Sequence, residues 1–250
     1  MYIQLVHPHP AEFVKSKEYR LIIQHKPRNA YVLIWDDASL CELVVRMHGE
    51  SARKLYWKTP GIIKSDWGRY AALFFFGGIY LDTDVIMHRP IMELIDYNCS
   101  AIWYASSPKL FPFAKNMATN FVLAGPRLHR FWWFLCQNVW ERRNRVFANY
   151  APYRSGAFVV TKAVKKFPQT KPIDPKKLGN LLCFNSANFG TVATHVGGNC
   201  RGASWNNLGI TEVFGFECFL RQMTGLSRDS VQMPVLLIAT AAAATVLKLT

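Results

Sequence analysis

Carboxylates are scarce in this chain. Only 16 Asp and Glu stand against 30 Lys and Arg in 250 residues, a formal net charge of +14. A positive field of that size attracts nucleotide sugars, anionic membranes and nucleic acid alike, so charge alone does not choose a partner. Nucleic-acid motifs and regular basic–aromatic interleaving are missing as well, and nucleic acid is set aside on that ground. The six cysteines, at 41, 99, 136, 183, 200 and 218, include no close pair, which excludes the usual zinc ribbons and CxxC redox sites. Met1 leads into a strand pattern rather than a secretory signal. The expectation is therefore free thiols in a reducing compartment, with the chain cytoplasmic or membrane-associated. Repeats and long linkers are absent, and the only low-complexity tract is the alanine-rich end. One domain over residues 1–233 follows, with an apolar tail at 234–250.

What is present alternates. Residues Ile3 to His7 and Tyr31 to Trp35 read as strands, and residues 11–25 and 40–53 as helices. Further strands are expected at Ser100 to Tyr104 and Asn120 to Leu123, and a helix at Leu128 to Asn144. Such alternation predicts an α/β fold with a mostly parallel central sheet flanked by helices. The stretch Pro168 to Pro175 predicts a loop.

Because acids are few, the stretch Gly77 to Val85, GGIYLDTDV, carries weight. Two glycines permit a tight turn and close approach of a ligand, and Ile79 to Leu81 form a short buried strand. Asp82 and Asp84 then fall at a strand end, where residues two apart project to one side and can address a single cation. Oxygen ligands suit Mn²⁺ or Mg²⁺, and such an ion bridges carboxylates to substrate phosphates. Ligands of open α/β sheets bind beyond the carboxyl ends of strands, where these two acids lie. Upstream, Ile62 to Phe76 has helical spacing, and Asp66 and Arg69, three apart, share a face. By spacing alone they are a weak surface ion pair. Feeding into a metal site, they become candidates to present a carboxylate and a guanidinium to a polyhydroxylated ligand.

The run SDWGRYAALFFFGGIYLDTDV, Ser65 to Val85, resembles the core of the DXD-containing glycosyltransferases of family 32, which include initiation mannosyltransferases and α1,4-galactosyltransferases. The clostridial glucosylating toxins share that core. Echoes extend to IQLVH at Ile3, YVLIWDD at Tyr31, the segment Phe113 to Phe131, and SGAFVVTKAV at Ser155. The resemblance implies a GT-A-type nucleotide-sugar-binding fold and transfer of a hexose from a nucleotide-diphosphate sugar with retention of configuration. It implies that Asp84 binds the metal directly and that Asp82 contacts the metal or the ribose. Asp66 and Arg69 would hold the transferred sugar, Tyr80 and Trp35 would sit by the donor, and Asn120 would lie near the donor sugar. His195 is the implied third metal contact, and Ser204 and Trp205 would close over the diphosphate. The acceptor would be a glycan, a glycolipid or a protein.

Two other classes are weighed. A phosphatase of the haloacid-dehalogenase type also begins with a strand and Asp-x-Asp, but it needs a downstream acid pair, and after Asp84 the aspartates are only Asp96, Asp174 and Asp229. A non-catalytic sugar- or nucleotide-binding module would keep the fold without turnover. The histidines of HPHP (His7, His9) read as a strand-ending turn, and FWWF at Phe131 to Phe134 as a core-packed face rather than a sugar platform. The tail has two readings, a membrane-associated helix or a helix packed on the domain.

Overall fold

The computed structural model describes residues 1–95, 101–107, 117–144, 151–180 and 191–195. Its centre is a six-stranded sheet in the order β2-β1-β3-β6-β5-β7. These are β1 (Tyr2–Val6), β2 (Tyr31–Trp35), β3 (Gly78–Leu81), β5 (Trp103–Ser107), β6 (Met117–Gly125) and β7 (Lys171–Pro172). The pairs β1–β2, β1–β3 and β5–β7 are parallel, while β6 runs antiparallel to both β3 and β5. Five strands therefore share one direction and β6 alone is reversed, as the predicted mostly parallel sheet requires. A second sheet, β4-β9-β8, joins β4 (Val85–Met87), β8 (Leu178–Asn180) and β9 (Ala193–His195).

Helices cover both faces because the buried strands alternate their side chains between two cores. One core joins Tyr80 and Leu123 to α3 (Asp37–His48), α4 (Ser51–Lys58), α5 (Gly61–Phe76), α6 (Arg130–Glu141) and α8 (Ala157–Lys166). The other joins Ile3, Leu5, Ile79 and Leu81 to Phe13 of α1 (Pro10–Phe13) and Ile22 of α2 (Lys17–His25). The short helix α7 (Ala151–Arg154) precedes α8.

Several predicted elements are divided. The helix expected over residues 11–25 is two, because Ser16 leaves the helical conformation and accepts the Tyr19 amide to start α2. That over 40–53 breaks at Gly49, which takes φ 81° and ends α3. The helix expected from Leu128 begins only at Arg130, since Leu128 is left-handed (φ 57°) and His129 accepts the Phe131 amide as a cap. Within FWWF, Phe131 and Trp132 are wholly buried and Trp133 is exposed.

The glycine pair earns its place differently from expectation. Gly77 and Gly78 take φ 63° and 94°, and they stand at the start of β3, whereas the aspartates follow its end. A Cβ at Gly77 would meet the Arg127 amide nitrogen at 2.5 Å, and one at Gly78 the Tyr2 carbonyl oxygen at 2.2 Å. The close approach is thus by the chain itself and not by a ligand. Gln4, buried in β1, donates to the Gly77 carbonyl and fixes the turn.

Among the described residues no helix is long and apolar enough to cross a membrane. The tail at 234–250 lies outside the described residues.

Candidate functional site

The two aspartates meet through a turn rather than by strand alternation. β3 ends at Leu81, and the Val85 amide donates back to the Asp82 carbonyl at 3.1 Å, so Asp82 to Val85 curl into a tight turn. β6 anchors its start, since the Asp82 amide donates to the Phe121 carbonyl at 2.8 Å. β4 then pairs with β9 so that Val85 lies opposite His195. That register delivers the imidazole to the turn: His195 Nε2 lies 3.3 Å from Asp84 Oδ1 and 3.9 Å from Asp82 Oδ2. The His195 ring stacks on Phe121 at 4.3 Å with the planes 1° apart.

Each Asp82 oxygen has its own task. Oδ1 accepts from Tyr80 Oη at 2.6 Å and from Arg69 Nη1 at 2.7 Å, which leaves Oδ2 on the side of His195. The Arg69 guanidinium also lies over the Tyr80 ring, 4.5 Å from its centroid. Asp84 Oδ1 is buried and makes no regular hydrogen bond, its nearest charged neighbour being His195 Nε2 at 3.3 Å. A buried carboxylate oxygen without a donor is costly unless a cation or ligand completes it. One ligand atom each from Asp82, Asp84 and His195 fits within 4.8 Å of the others, and this donor set of oxygens and one imidazole nitrogen suits a divalent ion.

Charge follows this geometry. Burial alone would push Asp84 up, but His195 outweighs it and holds the carboxyl below its ordinary range. Burial alone would push His195 down, but Asp84 and then Asp82 outweigh it and raise the imidazole.

Behind this half-open cluster is a closed one. Asp66 and Arg69 are 4% and 6% exposed, so they are no surface pair. Arg69 Nη2 lies 3.1 Å from Asp66 Oδ1 and 3.1 Å from Ser65 Oγ, while Nη1 also donates to the Asn120 carbonyl at 3.0 Å. Asp66 accepts from Asn120 Nδ2 at 2.7 Å and from Ser155 Oγ at 2.6 Å. Burial raises the Asp66 carboxyl despite the opposing pull of Arg69 and Ser155. Asn120 also donates to Tyr70 Oη at 3.2 Å, and Tyr70 donates to the Ser155 carbonyl at 2.5 Å.

The structure therefore brings together Asp66, Arg69, Tyr80, Asp82, Asp84, Asn120 and His195. Tyr80 is buried behind Asp82 and positions it. Trp35 stands elsewhere: its indole nitrogen donates to Gln4 at 3.0 Å and its ring packs on Phe76 at 5.1 Å. Ser204 and Trp205 lie outside the described residues. Three contributors escape a reading of local pattern: Ser155, Tyr70 and Phe121. Their roles depend on partners far along the chain; Ser155, 89 residues from Asp66, announces itself only by standing before the helix start at Gly156.

Comparison with known proteins bears on this arrangement. Residues 13–101 match a family model described as a glycosyltransferase sugar-binding region containing a DXD motif. No curated protein matches the chain. Among solved structures the chain is similar, at 15% identity and a TM-score of 0.45, to a glycosyltransferase involved in glycosylation of the major capsid of PBCV-1, over 82% of this chain and 97% of that one. It is similar at 13% identity, TM-score 0.43, to the PaToxG glycosyltransferase, over 67% and 68% respectively. A third, the apo-form glycosyltransferase GlyE of Streptococcus pneumoniae TIGR4, shares 12% identity with a TM-score of 0.44, over 71% of this chain and 46% of that one. The chain thus has an α/β fold with a mostly parallel central sheet flanked by helices, and its residues 13–101 are similar to the DXD-containing sugar-binding region of glycosyltransferases.

Proposed function

We propose that the chain is a metal-dependent hexosyltransferase of the family 32 type, moving a hexose from a nucleotide-diphosphate sugar to an acceptor hydroxyl with retention of configuration. The observation that carries the metal reading is the convergence of one ligand atom each from Asp82, Asp84 and His195 within 4.8 Å, with Asp84 Oδ1 buried and short of a hydrogen bond. Asp82, Asp84 and His195 would hold Mn²⁺ or Mg²⁺. When bound, the ion would supply positive charge for the diphosphate as it leaves.

The chain's own residues do the rest. Tyr80 and Arg69 occupy one oxygen of Asp82 and so aim the other at the ligand. Phe121 holds the His195 ring flat, and the β4–β9 pairing fixes its height. Asp66 and Arg69 form the floor on which the transferred sugar rests, and Asn120, braced by Asp66, stands beside it. Ser204 and Trp205 close over the diphosphate in this reading. The domain comprises residues 1–233, and the acceptor is a glycan, a glycolipid or a protein.

The test is a panel of nucleotide sugars with Mn²⁺ or Mg²⁺, scored for release of nucleoside diphosphate. One donor should stand out and require the ion. Release that persists undiminished in excess chelator overturns the metal reading, and binding of a donor without any release leaves a non-catalytic module in its place.

A further inference from the structure

The edge of the central sheet opposite the aspartates carries an exposed aromatic and aliphatic face. Tyr31 is 69% exposed, Leu128 58% and Trp133 42%. Their ring neighbours form two groups: Tyr31 meets Tyr2 at 6.2 Å and Tyr2 meets Phe76 at 6.1 Å, while Phe74 meets Trp133 at 5.7 Å. The two groups meet at the Phe74–Phe75–Phe76 end of α5, where Phe76 belongs to the first and Phe74 to the second, and all three residues are half-buried. Leu128 is held out deliberately. It is the one non-glycine residue with positive φ among the described residues, and its amide donates to the Phe74 carbonyl at 2.6 Å. A leucine in the left-handed region, locked there by a hydrogen bond and pointing an apolar side chain at water, is a costly local arrangement for packing alone.

Cations belong to the same segments. Arg28, Arg127 and Arg130 are all exposed, and no carboxylate lies in the three segments that build this edge, residues 26–31, 74–78 and 126–133. Gly77 packs close to the Arg127 backbone, which places that arginine at the same end of β3 as Tyr2 and not at the aspartate end.

We propose that this face docks on an anionic lipid surface. Tyrosine and tryptophan rings suit the headgroup level, an inserted leucine suits the acyl boundary, and arginines without competing carboxylates suit anionic headgroups. A second copy of the same face would bring like charges together. Single-stranded nucleic acid would use the rings, but it has no use for an exposed leucine, which offers no stacking surface. Docked this way, the aspartates face away from the lipid, so the donor is taken from solution.

The experiment is flotation of the full-length chain with phosphatidylcholine vesicles, with and without phosphatidylserine, at low and high salt. Binding should require the anionic lipid and weaken with salt. Leu128→Glu should reduce it by at least about tenfold, the scale of one buried leucine. Arg127→Gln and Arg130→Gln, surface changes that leave the packing intact, should each reduce it by about fivefold. Nucleoside diphosphate affinity should hold in all three, which controls for misfolding. Equal flotation of the wild type and all three variants overturns the proposal and assigns any lipid binding to another part of the chain. Absence of flotation with anionic vesicles overturns it too, as does tighter binding to single-stranded RNA than to vesicles that the same variants abolish.

Discussion

The carboxylate mouth and the tryptophan cluster at the end of α3 are each built around a histidine with rings pressed against it, and the two imidazoles respond in opposite senses. His195 lies flat on Phe121 with two carboxylates within 3.9 Å, and it is raised above its ordinary value. His48 lies nearly parallel to Trp140 at 5.2 Å, with Trp67 at 5.4 Å and Trp133 at 6.1 Å. Burial, with Arg143 adding to it, pushes His48 down to about 4. Desolvation acts on both rings in the same direction. The partner decides, and only the histidine with carboxylates nearby keeps a charge worth exchanging for a metal.

The sharpest way to break this contrast is at Asp84. Asp84→Asn should cut donor turnover by at least about a hundredfold and abolish Mn²⁺ binding, since it removes charge from the site where diphosphate charge is met. Its melting temperature should stay near that of the wild type. Full turnover in that variant would reduce the mouth to a polar pocket of no catalytic consequence.

Next in size is the closed half of the site. Asp66→Ala leaves Arg69, Asn120 and Ser155 without their shared acceptor, and breaking such a buried pair costs about 3 kcal/mol. Urea unfolding should show that loss, and donor turnover should fall while nucleoside diphosphate still binds. A variant as stable and as active as the wild type would contradict the bracing described here.

A third prediction tests the histidine contrast by pH. The unfolded chain protonates His48 at its ordinary 6.5, whereas the folded chain resists until about 4. The unfolded state therefore binds more protons in that window, and stability falls as pH drops through it, by on the order of 2 kcal/mol once partial exposure is allowed for. His48→Phe should flatten this loss. His195→Gln should leave it in place, because a raised histidine contributes its full stabilisation throughout the range below 6.5. If both variants lose the slope equally, the assignment to His48 fails.

The smallest effect is expected from Ser155→Ala, about 1.5 kcal/mol for the hydrogen bond to Asp66 Oδ2, the carboxylate's other partners being on Oδ1. Thermal unfolding measures it, and a collapse of several kcal/mol would mean that Ser155 holds α7 and α8 in place more than it holds Asp66.

Local pattern made the strand at Tyr31–Trp35, the helix ending in Phe76 and the Asp-x-Asp after β3 readable, because each depends on neighbours within a few residues. Helix breaks at Ser16 and Gly49 were harder, since a lone serine or glycine inside an apolar period is as compatible with a continuous helix. The state of Asp66 and Arg69 was not readable at all. An i, i+3 pair looks the same on a surface and in a core, and its burial comes from Asn120 and Ser155, 54 and 89 residues away from Asp66. The pattern predicts the convergence of Asp82 and Asp84 from alternation at a strand end, whereas a turn closed by Val85 produces it.

The reversed strand β6 has a mechanical consequence. Its early residues, Asn120 and Phe121, stand at the mouth, and its far end at Gly125 leads into the Arg127–Arg130 corner at the other edge. Leu123 and Ala124 are paired on both sides, whereas Asn120 to Val122 have no partner on β5, where the register slips between Tyr104 and Ala105. The doubly paired part of β6 therefore stops short of the mouth, and the bulge is what turns Asn120 and Phe121 toward it.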